Sequence, residues 1–238
     1  MACQSIEKAL LNEFVRAPVG RTFLQVDIVA ADVFSLGCLS EDAQLLSAYA
    51  RGDVYATVSR ELLQSDNRSL GKHFFQLAIH GAGDSGLAAA LGVDAAEASR
   101  LRQNLWELFP AAERYRQRCV DYGNVNWRTL PSITGWYRHL ARPNPALAIN
   151  APVAGSTADL FRGLTTRLTQ AAEGRRSCQI VLLPVLSAYD GGTWEVEHGR
   201  DALLFELLDE AVDSVTRDFQ LPAPLRLRRR ISSNPCGS

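Results

Sequence analysis

Residues 23–29 read FLQVDIV, and the fold is read outward from them. Phe23, Val26, Ile28 and Val29 are residues that suit a pleated, half-buried surface, so the run predicts a short strand with Asp27 near its tip. The chain then switches to a helical period through Leu36, Leu39, Leu45 and Leu46. A second strand-end acid lies far downstream. Residues 179–189 (QIVLLPVLSAY) and 193–197 (TWEVE) are β-type runs separated by Asp190, Gly191 and Gly192. Paired glycines permit the positive φ angles of a tight hairpin, which puts Asp190 at its tip. Pro184 cannot donate to a ladder, so the first run is expected at a sheet edge or a bulge.

Between these acids the period is helical from about Asp42 to Cys119, with breaks at Gly81 to Gly86 and at Gly92. Asp94 and Glu97 read as a capping box opening a helix to Phe109. Residues 123–146, rich in Pro, Gly, Trp and Arg, read as a connector with one short hairpin. A helix is expected from Pro152 to about Ala172, and another, amphipathic, over 201–218. Residues 225–230 (LRLRRR) alternate before a basic tail.

Composition sets limits on function. With 238 residues, 47% of them hydrophobic, the chain can bury one good core or two small ones. The formal net charge of -1 excludes a uniformly basic nucleic-acid wrapper but leaves room for local patches. No run approaches the roughly 20 apolar residues of a bilayer span, and acids interrupt the N-terminal MACQSIEKALLNEF, so no membrane partner and a cytoplasmic setting are expected. Cys3, Cys38, Cys119, Cys178 and Cys236 are odd in number and form no CxxC pair, which reads as ordinary thiols. Of the 25 Lys+Arg, only Lys8 and Lys72 are lysine. A compact ammonium kept amid arginine marks Lys72 for attention.

Two constellations carry chemistry. Arg68, Lys72, Gln76 and His80 recur every fourth residue, so they share one drifting helix face; the cations suit a polyanion such as a triphosphate, although such a stripe is more often a solvated face. Asp27 and Asp190 stand where strands run out. Separately each reads as a turn or cap residue; together they suit two Mg²⁺ ions about 3.5–4 Å apart. Magnesium takes few carboxylates, with water and phosphate oxygens completing its shell.

Three ordered stretches resemble the polymerase domain of family A DNA polymerases, the bacterial DNA polymerase I and phage replicative group. Residues 14–55 (FVRAPVGRTFLQVDIVAADVFSLGCLSEDAQLLSAYARGDVY) are similar to its first palm motif. The resemblance implies that Asp27 and the backbone carbonyl of Ile28 contribute to metal binding, and that Asp32, where the family has glutamate, helps exclude ribonucleotides. Residues 67–93 (NRSLGKHFFQLAIHGAGDSGLAAALGV) resemble the fingers helix R-x3-K-x7-Y-G. Arg68 and Lys72 match the triphosphate grip, with Lys72 counted among the catalytic residues, while Gln76 and His80 replace two family aromatics beside the nucleotide. Residues 148–168 (AINAPVAGSTADLFRGLTTRL) and 185–201 (VLSAYDGGTWEVEHGRD) resemble the AINAP helix and the H-D-E hairpin. Asn150 and Asp190 match, whereas Ala154, Ala146 and Gly191 replace a glutamine, an arginine and a glutamate, and Tyr189 stands for the histidine. Asn150 and Tyr189 are the implied DNA contacts.

The implied fold is α+β: a discontinuous palm, residues 1–45 and 145–238, with an antiparallel sheet and packed helices, and helical fingers over 46–144. Thumb and exonuclease domains are expected to be absent. The implied activity is a DNA-directed DNA polymerase, a nucleotidyl transferase of DNA replication. Asp190 is the second metal ligand, with two Mg²⁺ ions or Mn²⁺ as cofactors. Primer-template DNA and a dNTP are the expected ligands, and duplex grip is expected from a second polypeptide, as in a split polymerase. The alternative is a weakened or inactive polymerase-like accessory subunit that binds DNA or nucleotide; a purely structural α+β domain is the least specific reading.

Overall fold

A computed structural model describes residues 13, 15–175 and 182–233. The expected strand residues 179–181, the tail beyond 233, Lys8, Cys3, Cys178 and Cys236 lie outside them. The described elements begin with β1 (Arg21–Ile28), α1 (Ala31–Ser40), α2 (Ala43–Arg51), α3 (Val54–Leu63), α4 (Arg68–Ile79), α5 (Asp84–Leu91) and α6 (Ala95–Leu108). There follow α7 (Pro110–Asn126), α8 (Pro145–Gly174), β2 (Leu183–Ser187), β3 (Gly191–Glu197), α9 (Asp201–Asp218) and β4 (Leu227–Ser232). The chain forms two compact units, one of residues 1–29 with 160–238 and one of residues 30–159.

The first unit holds an antiparallel sheet of order β2-β3-β1-β4. β1 is central, and its Phe23, Leu24 and Val26 are sealed from solvent, as expected of a strand covered on both faces. β2 is an edge strand, with its register shift between Pro184 and Leu186: proline sits where its missing N–H costs least. α9 buries Leu204, Leu207, Leu208, Ala211 and Val215, a helical-period stripe. Close helix approach is set by Gly163, where a Cβ would lie 2.9 Å from Phe219 Cζ.

The second unit is a helical bundle around Phe74, Phe75, Ile79, Leu87, Leu105 and Val153. Phe75 stacks on Phe109 at 5.7 Å and meets Tyr55 and Trp106 edgewise. Asp42, 2% exposed, ties two elements: Oδ1 accepts from the amides of Gln44 and Leu45 at the start of α2, and Oδ2 from those of Ala111 and Ala112 at the start of α7. One carboxylate thus caps two helices. Burial pushes the Cys38 thiol up to about 12 and the Cys119 thiol up to about 11, as suits inert thiols.

Four local expectations are corrected. The hairpin turn is Ala188-Tyr189-Asp190, closed by the Ala188 amide on the Gly191 carbonyl at 2.7 Å; Gly191 and Gly192 lie in β3, and neither has a positive φ. α8 starts at Pro145 rather than Pro152, because Asn144 caps it through the Leu147 amide and proline suits the first helical turn. α7 runs on to Asn126, since Gly123 is a close-approach site, where a Cβ would meet that of Ala148 at 2.9 Å, and not a breaker. Asp94 caps α6 through the Glu97 amide, yet the reciprocal half of the box is missing because Arg100 takes the Glu97 carboxylate.

Candidate active site

In the first unit, β1 and β3 bring the two strand-end acids together. Asp27 pairs directly with Gly191, the residue after Asp190, which places their Cα atoms about 4.5–5.5 Å apart as in any antiparallel pair. The Ile28 amide donates to the Asp190 carbonyl at 2.9 Å, pinning the hairpin tip to the end of β1. Asp27 is exposed, and no hydrogen-bond or ion-pair partner holds its carboxylate among the described residues. That carboxylate leans over Gly191, where a Cβ would lie 2.2 Å from Asp27 Oδ1. The glycine is therefore required by the position of Asp27. Tyr189, 41% exposed, stands in the turn beside Asp190.

On its other side Asp27 pairs with Arg228 of β4, an exposed residue on the same face of the sheet. Sequence reasoning missed Arg228. The alternating LRLRRR announced a strand, but only register tells which arginine faces Asp27.

The donor set fits divalent cations of the magnesium kind: one carboxylate at the end of β1 and one in the turn that enters β3, with the Ile28 carbonyl at the strand end. Among the described residues no group of three or more His, Cys, Asp or Glu is arranged to hold a metal ion. Two carboxylates suffice for a cation whose remaining ligands are water and phosphate.

In the second unit, α4 carries the basic stripe. Asn67 caps it through the amides of Ser69 and Leu70. Gly71 lets it cross α3 at backbone contact, since a Cβ there would lie 2.2 Å from the Tyr55 carbonyl oxygen. Lys72 is exposed and, among the described residues, has no ion-pair partner. Arg68 is engaged: it pairs with Asp53, itself the cap of α3, and lies 5.4 Å over the Tyr55 ring. Burial pushes the Asp53 carboxyl up, but the Arg68 guanidinium and the amides of Ala56 and Tyr55 together hold it below its usual range. Gln76 is half-buried.

His80 lies one residue past α4 and is bound at both ring nitrogens. Nε2 faces Asp32 Oδ2 at 3.3 Å, and Nδ1 faces Asn150 Oδ1 at 2.8 Å. The hydrogen bond to Asp32 is the largest influence and holds the imidazole above its ordinary value; burial opposes it, while Coulomb attraction to Asp32 and the Asn150 bond reinforce it. Asp32, 3% exposed, also accepts from Thr157 Oγ1 at 3.0 Å, which is 2.9 Å from Ser35 Oγ. Asn150, expected at DNA, thus bonds to His80. Thr157 and Ser35 carried no sequence signal; their burial is seen only in the fold.

The fold is that of a polymerase domain, with a palm-type antiparallel sheet and a helical fingers-type unit. The chain belongs to DNA polymerase family A, whose profile matches residues 4–232. It is 26% identical to DNA polymerase I of Chloroflexus aurantiacus over 92% of this chain and 25% of that protein. It is 25% identical to DNA polymerase I of Rhizobium leguminosarum over 95% of this chain and 24% of that one. The chain therefore spans about a quarter of the length of these relatives. The solved structure described as the POL domain of Pol1 from M. smegmatis in complex with DNA primer-template and dNTP shares the fold: TM-score 0.82, 20% identity, 98% of this chain and 43% of that one covered. No helix among the described residues is long and apolar enough to cross a membrane.

Proposed function

We propose that this chain is the palm and fingers of a DNA-directed DNA polymerase that extends a primer with deoxynucleotides. The observation that carries the proposal is the pairing of Asp27 with Gly191, which sets Asp27 at the end of β1 beside the turn that holds Asp190, at one end of the sheet. Asp27, Asp190 and the Ile28 carbonyl hold two magnesium or manganese ions. When bound, these ions supply activation of the primer 3′-hydroxyl and neutralisation of the departing pyrophosphate. Lys72 binds the triphosphate as a point charge, and Arg68 joins it on release from Asp53. Asp32 and His80 bound the sugar side of the nucleotide, Gln76 lies along the same helix face, and Asn150 holds His80 in orientation. Tyr189, exposed beside Asp190, contacts the primer. Positioning and charge neutralisation, not covalent chemistry, carry the rate. Duplex grip comes from residues beyond this chain's described elements, in this reading a second polypeptide.

One observation favours the accessory-subunit alternative: Arg68 is committed to Asp53 rather than left for a phosphate. Primer extension with magnesium or manganese separates the two readings. Asp27→Asn and Asp190→Asn are each expected to abolish extension while leaving the urea unfolding midpoint within experimental error. Extension that survives either change overturns the metal-ligand assignment, and DNA binding without extension by the unmodified chain, both alone and with a thumb-bearing polypeptide added, favours the accessory reading.

A further inference from the structure

Strand β4 uses its cations unequally. Arg229 faces α9: its guanidinium donates to Asp209 Oδ1 at 2.7 Å and to the Phe205 carbonyl at 3.1 Å, and lies 4.8 Å from the Phe205 ring centroid. Arg228, one residue earlier, projects from the opposite face of the sheet, where it is exposed and has no hydrogen-bond or ion-pair partner among the described residues. Register sets it directly opposite Asp27, with Cα atoms about 4.5–5.5 Å apart.

A guanidinium and a carboxylate thus stand side by side on one face, yet they do not pair with each other. At exposed positions such a pair contributes little, so both groups stay available to a ligand. The carboxylate suits a cation and the guanidinium an anion. The ligand that answers both is one that joins the two signs, a divalent ion carrying phosphate oxygens.

The two sides of Asp27 differ. Toward β3 lie Gly191 and the turn with Tyr189 and Asp190; toward β4 lies Arg228. Because position 191 has no side chain, this end of the sheet sets two carboxylates, Asp27 and Asp190, against one guanidinium. That balance grips a bare dication weakly and favours an ion that arrives with phosphate already bound.

We propose that Arg228 is a further substrate contact, a guanidinium that binds a phosphate of the incoming nucleotide on the side of Asp27 away from the primer. The proposal deepens the polymerase reading and rests on it. Tyr189, the primer contact in that reading, stands on the β3 side, so the phosphates met on the β4 side are those of the nucleotide. The planar fork of an arginine takes two phosphate oxygens at once, which fixes the phosphate as well as neutralising it.

The full chain is tested without DNA, so that no chemistry occurs. Free Mn²⁺ is followed by its electron paramagnetic resonance signal, and dATP retention by equilibrium dialysis in Mn²⁺. Arg228→Ala removes a charge of the same sign as the ion and is expected to tighten binding of Mn²⁺ alone about threefold. The same change weakens dATP binding in Mn²⁺ about tenfold. Arg228→Lys restores the Mn²⁺ value but only part of the dATP affinity, since an ammonium keeps the charge and lacks the fork. A merely structural role would move both affinities the same way. That outcome overturns the proposal, as does unchanged dATP affinity in Arg228→Ala or the lack of Mn²⁺-dependent dATP retention by the unmodified chain. Anisotropy of a labelled primer-template is expected to be equal for all three chains; a loss of DNA affinity with dATP binding unaffected gives Arg228 to the primer and overturns the proposal too. Primer extension by the unmodified chain keeps the two readings apart. Lost extension with the opposed Mn²⁺ and dATP effects intact removes the polymerase reading alone, and extension with dATP affinity unchanged in Arg228→Ala removes the Arg228 contact alone.

Discussion

Gly191→Ala probes the site through a single methyl group. Its Cβ would fall 2.2 Å from Asp27 Oδ1 and 2.9 Å from the Val26 carbonyl oxygen. The first clash is relieved by turning the Asp27 side chain, at the expense of moving its carboxylate; the second involves backbone in the β1–β3 ladder, so the strands must part by a few tenths of an ångström. Overpacking of this kind costs about 1–3 kcal/mol, and we expect about 2. With a urea dependence of about 2 kcal/mol per molar for a chain this size, the midpoint falls by about 1 M. Extension falls further, about a hundredfold, because a carboxylate displaced by roughly 1 Å no longer meets its ligand. In an Asp27→Ala background only the backbone contact remains, so the stability cost of Gly191→Ala halves to about 1 kcal/mol, a coupling within the range of touching residues. Unfolding and extension indistinguishable from the unmodified chain would refute the reasoning, as would equal costs in the two backgrounds.

Asp42→Ala strands four backbone donors at the starts of α2 and α7, so urea unfolding should show a loss of about 3–4 kcal/mol; a loss below about 1 kcal/mol contradicts the double cap. Because folding raises the His80 value through Asp32, the pair's stabilisation is complete below about pH 6.5 and disappears as pH rises through the higher folded value. The stability gap between the unmodified chain and His80→Gln should therefore narrow on going alkaline, and a gap that stays constant removes the ion pair. Lys72→Ala should raise the apparent KM for dNTP about tenfold or more with DNA affinity unchanged, and an unaltered KM displaces the triphosphate from α4.

What the sequence disclosed and what it hid divide along physical lines. β1, the bulge at Pro184, the Asp94 cap and α9 follow from local period and local chemistry, so short windows sufficed. Gly191 and Pro152 misled because one residue type answers two needs. Glycine serves a turn or a close approach, and which one operates at 191 depends on Asp27, far away in the chain. Proline serves a helix start, but it is also tolerated inside α8. The placement of Arg228 opposite Asp27 is a matter of register, which alternation in one strand does not specify.

The departures from the family pattern at positions 32 and 80 meet in space. An acid 3% exposed needs a partner, and Asp32, one carbon shorter than the glutamate of the family, has Thr157 and a ring nitrogen of His80 within reach. The other ring nitrogen is occupied by Asn150, so every polar atom of the imidazole is answered. Independent decay of a disused nucleotide pocket would leave a buried carboxylate or a ring nitrogen orphaned, at a cost of about 1–3 kcal/mol for each unsatisfied group. Instead the shortened acid and the smaller ring fit each other, and Thr157 carries the network on to Ser35. The surroundings of Asp32 and His80 are thus closed and ordered, which is what their proposed place beside the nucleotide's sugar calls for.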